Sequence, residues 1–196
     1  MSKRIALFSA AALGVLALTS ALVAPVSAQD KMMSSSEKTV MVGGAAMFPS
    51  KNIIQNAVNS KDHTTLVAAV KAAGLVGTLE GKGPFTVFAP TNAAFGKLPE
   101  GTVDTLVKPE NKATLTKILT YHVVPGRLDS EALDRDIKKG DGKATLKTVA
   151  GDELTITGSG KDLMVTDDKG NTAEVTIADV YQSNGVIQVV NKVLMP

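Results

Sequence analysis

The chain predicts an α+β fold in which a helix-rich N-terminal half packs on a wedge or sandwich of mostly antiparallel strands. Three observations predict it. Residues 52–120 place apolar side chains at helical spacing, broken by one short apolar run at 85–89. From residue 144 onward the pattern changes to short β-rich segments separated by Gly and Asp turns. No segment repeats another, which indicates one module rather than a tandem array.

The N-terminus reads as a leader, not as part of the fold. Lys3 and Arg4 precede an apolar run over 5–23, and Val26-Ser27-Ala28 supplies a small-residue cleavage site, so residues 1–28 are expected to be a secretory signal peptide. No Cys follows the run, which excludes a lipid-modified cysteine anchor, and the cleaved chain is expected to have no stable membrane insertion. Residues 1–28 hold two of the 21 basic residues and none of the 19 acidic ones, leaving 19 against 19. That balance gives no electrostatic reason to expect nucleic acid or an anionic membrane as partner. The remaining 168 residues suit one domain, and with no Cys its stability must come from packing.

Residues 29–50 form a linker and N-terminal extension: Ser34-Ser35-Ser36 and Gly43-Gly44 punctuate it, while 41–49 is apolar enough to lie against the domain. The domain itself is assigned to 51–196. Helices are expected over 52–58 and 62–73, the second capped by Asp62, striped by Leu66, Val67 and Val70, and stopped at Gly74. Gly81-Lys82-Gly83-Pro84 is a turn into a buried strand at 85–89, which Pro90-Thr91-Asn92 breaks before a short helix at 93–95. A capped helical turn is expected at 102–107. Pro109 opens a helix reaching about residue 120, with Leu115, Ile118 and Leu119 inward, and Ser130 caps another short helix. Strands follow at 145–149, 153–157, 163–167, 173–177 and 186–193.

Catalytic constellations are missing. There is no Gly-x-Ser-x-Gly elbow, Walker loop or Rossmann glycine pattern, and two His with no Cys cannot build a His-rich or thiolate metal site. The carboxylate pairs Asp167-Asp168 and Asp152-Glu153 sit at turns, where solvated Asp is the ordinary outcome. Met32, Met33, Met41 and Met47 crowd the N-terminal segment, but without supporting His they read as gap-fillers rather than a Cu(I) tract. The chain is therefore expected to be no enzyme and to carry no cofactor and no metal.

Three stretches in this order resemble the fasciclin I (FAS1) domain family: residues 85–95 (FTVFAPTNAAF), 121–126 (YHVVPG) and 183–196 (SNGVIQVVNKVLMP). The resemblance runs from about residue 51 to 196. It implies a single FAS1 domain acting as an exported, periplasmic or cell-surface, interaction module in adhesion, with a protein or glycan as partner. It also implies candidate binding residues. Tyr121 and His122 match a recurring Tyr-His pair that in animal members is associated with integrin-dependent adhesion. Thr91 and Asn92 are the expected hydrogen-bond partners of His122, so that the junction acts mainly as a folding latch. Many relatives have His where this chain has Gln188, which keeps hydrogen-bonding capacity but cannot titrate. A second implication is carriage of an apolar small molecule such as a carotenoid or lipid, which some FAS1 proteins of photosynthetic organisms bind.

Overall fold

The computed structural model describes residues 38–160 and 162–196. The expected signal peptide, the first part of the linker, Met32 and Met33 lie outside them.

The described chain opens with a hairpin, β1 (Val40–Val42) and β2 (Ala45–Met47), turned by Gly43-Gly44 at φ 57° and 75°. Two consecutive positive φ values are what a two-residue hairpin turn requires. Alternation sends Val42 and Met47 into the core and leaves Met41 59% exposed, so the apolar stretch expected to lie against the domain does so as a hairpin.

Helix α1 (Ile53–Ala57) starts in a capping box between Asn52 and Gln55. A 3-10 turn, Lys61–His63, leads into α2 (Thr64–Ala73), which ends on left-handed Gly74. Asp62 does not cap α2 as expected: it lies inside the 3-10 turn, and the cap position is His63, with no side-chain bond. Leu66 and Val70 are buried beside Ala69 and Ala73, while Val67 is half-buried. Helix α3 (Val76–Glu80) is unanticipated, since five residues containing Gly77 show no periodicity. Strand β3 (Phe85–Pro90) retains Pro90 as its last residue, and Thr91 caps α4 (Asn92–Phe95). Helix α5 (Thr102–Leu106) follows Gly101 without the side-chain cap expected there. Helix α6 (Lys112–Tyr121) buries Leu115, Ile118 and Leu119 as expected. After β4 (Val123–Pro125) comes α7 (Ser130–Lys139), capped by Asp129 rather than by Ser130, which is the first helical residue.

Strands β5 (Lys143–Lys147), β6 (Glu153–Ser159), β7 (Asp162–Thr166), β8 (Thr172–Gln182) and β9 (Gly185–Val190) complete a seven-stranded sheet of order β4-β3-β9-β8-β7-β6-β5. All neighbours are antiparallel except β3 and β9. The sheet curls almost into a barrel: the Val149 N–H, just past β5, donates to the Val123 carbonyl of β4 at 2.8 Å.

Strand alternation distributes β3 and β9 between two cores. Val87, Ala89, Ile187 and Val189 join α1, α2, α4, α6 and the hairpin in one. Phe88 and Val190 face the other, which β5 to β8 and Leu133 and Ile137 of α7 enclose. The boundary between the two cores holds the candidate site.

Candidate functional site

Helix α6 ends at the boundary, delivering Tyr121 as its last residue and His122 as its C-cap. Tyr121 is fully buried in the core enclosed by the curled sheet. Its hydroxyl donates to the Glu153 carbonyl at 2.9 Å and accepts from the Asp168 N–H at 3.0 Å, tying α6 to β6 and to the β7–β8 turn. Burial, with Asp168 among its neighbours, pushes the phenol up to about 12, so it stays protonated, as the hydrogen bond it donates requires.

His122 is 2% exposed and uses both nitrogens. Nδ1–H donates to the Ile118 carbonyl at 2.8 Å, and Nε2 accepts from the Leu194 N–H at 3.0 Å. Those partners fix the neutral tautomer, because a carbonyl needs a donor and an amide needs an acceptor. Burial pushes the imidazole down to about 4, outweighing the opposing pull of the Ile118 carbonyl and of Asp167. Asp167 grips the next residue: Oδ2 accepts from the Met195 N–H at 3.1 Å, while Oδ1 accepts from the N–H groups of Lys169 and Asn171. The carboxylate expected to be an ordinary solvated turn residue is instead 5% exposed and fully used.

The expectation that Thr91 and Asn92 bond His122 is not met. The Thr91 hydroxyl accepts from the Ala94 N–H at 3.2 Å and caps α4. Asn92 accepts from the Thr65 N–H at 3.0 Å and donates to Lys61 and Thr64, fastening α4 to the start of α2. The physical reason is reach. His122 finds an acceptor one turn back in its own helix and a donor on the C-terminal segment, so the β3–α4 turn is not needed.

Gln188 is fully buried. It accepts from the Asp179 N–H at 3.1 Å and donates to the Leu128 carbonyl at 3.2 Å. Asp179, at φ 59° in the bulge of β8, in turn takes the Ser130 N–H at 2.7 Å. Here the amide supplies one acceptor and one donor at the same time, which a single uncharged imidazole also offers, but without a charge change.

The histidine that sequence reasoning left without a role is His63. It is 3% exposed, and its Nδ1 lies 2.9 Å from the Ser60 hydroxyl. The hydroxyl three residues earlier was the available signal. Burial lowers its pKa, against smaller opposing effects of Ala89 and Asp62. A hydroxyl–imidazole pair is nucleophile and base by type, yet both members are buried and, among the described residues, no carboxylate is hydrogen-bonded to His63 to orient it. Among the described residues no group of His, Asp or Glu is placed to hold a metal ion. His63 and His122 both line an apolar cavity of about 70 Å³, with Ile53, Leu66, Val70 and Ile187 in its wall.

A family model described as the Fasciclin domain matches residues 61–196. The chain is 46% identical over 164 residues to Protein sll1483 of Synechocystis sp., covering 84% of each. It is 38% identical over 160 residues to the cell surface glycolipoprotein MPB83 of Mycobacterium bovis, covering 79% of this chain and 64% of that protein. Among solved structures, a FAS1 domain pair from the insect cell adhesion molecule fasciclin I matches with a TM-score of 0.67 at 15% identity. That match covers 76% of this chain and 52% of the other, about one domain of the pair. The fold is therefore the FAS1 fold.

Proposed function

We propose that this chain, which belongs to the fasciclin domain family, is an exported, non-enzymatic interaction module that adheres to protein or glycan at a cell surface or matrix. The carrying observation is that its candidate motif residues are consumed by the fold. Tyr121 and His122 are buried, and each polar atom of theirs has an internal partner. They make a latch that holds α6, the β7–β8 turn and the C-terminal segment together, so recognition falls to the outer loops and helices that the latch positions. The cell-surface designation of the relative MPB83 supports placement outside the cytoplasm. One domain offers one valency, so firm adhesion requires clustering or many copies. Saturable binding of the purified protein to cells and to polysaccharide of its host tests this; binding that never saturates on any of these surfaces would sink it.

A second reading, carriage of an apolar small molecule such as a carotenoid or lipid, is favoured by the apolar cavity. Its volume of about 70 Å³ is far below the ~300 Å³ at which sites for drug-sized ligands begin. A polyene would therefore need the helices and the hairpin to part. The absorption spectrum of protein purified from its host, with mass spectrometry of an organic extract, decides between the readings: a stoichiometric pigment or lipid establishes the carrier.

A further inference from the structure

The cavity wall contains two imidazoles in contrasting states. His122 spends both nitrogens on backbone groups, whereas His63 spends only Nδ1, on Ser60. His63 Nε2 is buried and has no hydrogen-bond partner among the described residues. A buried polar atom left unpaired costs roughly 1–3 kcal/mol, so its persistence in an apolar wall calls for a partner.

Water is a poor one. A buried water needs two to four polar partners, and apolar cavities stay dry and instead take small apolar guests; an engineered cavity of about 150 Å³ holds benzene or xenon. At about 70 Å³ this cavity has roughly half that room. The Ser60 hydroxyl can donate to Nδ1 or accept from it, so a guest that suits Nε2 in either tautomer must itself be able to donate or accept. Burial keeps the ring uncharged, so an anion would find no countercharge.

We propose that this cavity is a binding site for a small neutral molecule of about three to five non-hydrogen atoms, with an apolar body and one hydroxyl group that hydrogen-bonds Nε2 of His63. The apolar body rests on Ile53, Leu66 and Val70. The site is distinct from any adhesive surface and does not depend on the adhesive reading.

The test is a titration of the protein, labelled with nitrogen-15 in histidine and carbon-13 in methyl groups, with 1-propanol and separately with xenon. 1-Propanol is expected to shift the His63 Nε2 resonance saturably and to leave the nitrogens of His122 in place. Xenon is expected to shift the Ile53 and Val70 methyl groups without moving Nε2. His63→Phe should weaken 1-propanol roughly tenfold and leave xenon within about twofold. If that variant does not fold, the titration of the unaltered protein decides alone. Silence toward both probes overturns the proposal, as does saturable 1-propanol binding that moves the methyl groups while Nε2 stays still.

Discussion

Tyr121 and His122 adjoin in the chain and serve opposite cores: the phenol is enclosed with β5 to β8, and the imidazole lines the cavity beneath the helices. A helix that ends at the boundary of two cores can place consecutive side chains in both. The pair thus joins the two halves of the domain through three hydrogen bonds to other segments, reaching Glu153, Asp168 and Leu194, and one within α6, to Ile118.

Replacing His122 by Ala strands the buried Ile118 carbonyl and Leu194 N–H. The expected loss is about 3 kcal/mol, seen as a fall of roughly 10 °C in the melting temperature by circular dichroism. An unchanged melting temperature beside lost adhesion would reverse the assignment and make the residue a recognition group.

Acid should loosen the domain through the same ring. His122 has its pKa near 4 when folded and the ordinary 6.5 when unfolded, so the unfolded chain binds more protons between those values. Stability is complete above about pH 6.5 and declines as the pH falls toward 4, by about 3 kcal/mol in total. His63, also lowered by burial, acts in the same direction. Urea midpoints of the wild type and of His122→Gln are expected to converge as the pH falls. Carboxylates titrate in both proteins, so curves that stay parallel would remove His122 as the source.

The two glycines of the first hairpin should respond differently to Ala. A Cβ on Gly43 would lie 2.4 Å from the Ser60 hydroxyl and 2.7 Å from the Asp62 nitrogen, whereas one on Gly44 meets nothing within 4 Å. Both have positive φ, so each substitution costs about 1–2 kcal/mol of backbone strain. Gly43→Ala should cost clearly more, because it also displaces the hydroxyl that holds His63. Equal urea midpoints for the two variants would show that the hairpin yields freely.

Asn184 ties β9 to the helical layer: its oxygen accepts from the Ile53 N–H at 3.0 Å, and its nitrogen donates to the carbonyls of Leu79 and Gly81. Asn184→Asp keeps the acceptor and turns both donor contacts into oxygen facing oxygen. A loss of about 3 kcal/mol or more is expected in chemical unfolding at neutral pH, partly recovered where the carboxyl is protonated.

Much of this fold was written in local pattern. The stripe of α6 and the turn signals between β5 and β9 depend on near neighbours, and residues such as Leu115, Ile118 and Gly74 stand where their spacing put them. What escaped depends on distant partners. Helix α3 is too short to show a period, and β8 runs on to Gln182 because β9 pairs with it across a bulge. At the site, the sequence marked Tyr121 and His122, but its choice of Thr91 and Asn92 as partners failed because Leu194 lies 72 positions away from His122. The same blindness hid His63, whose importance lies in the cavity around it.

Strand β9 lies parallel to β3, with Phe85 opposite Gly185 and Pro90 opposite Val190. All seven α-helices of the described residues are therefore synthesised before this interior strand of the sheet. Short amphipathic helices hold little structure until their apolar faces are covered, and pairing across such a span of sequence is slow. Until its final strand is present the polypeptide lacks the strand that pairs with both β3 and β8, so the sheet stays open. Folding therefore waits on the C-terminal end of the chain, and the unfinished polypeptide needs protection from aggregation until then.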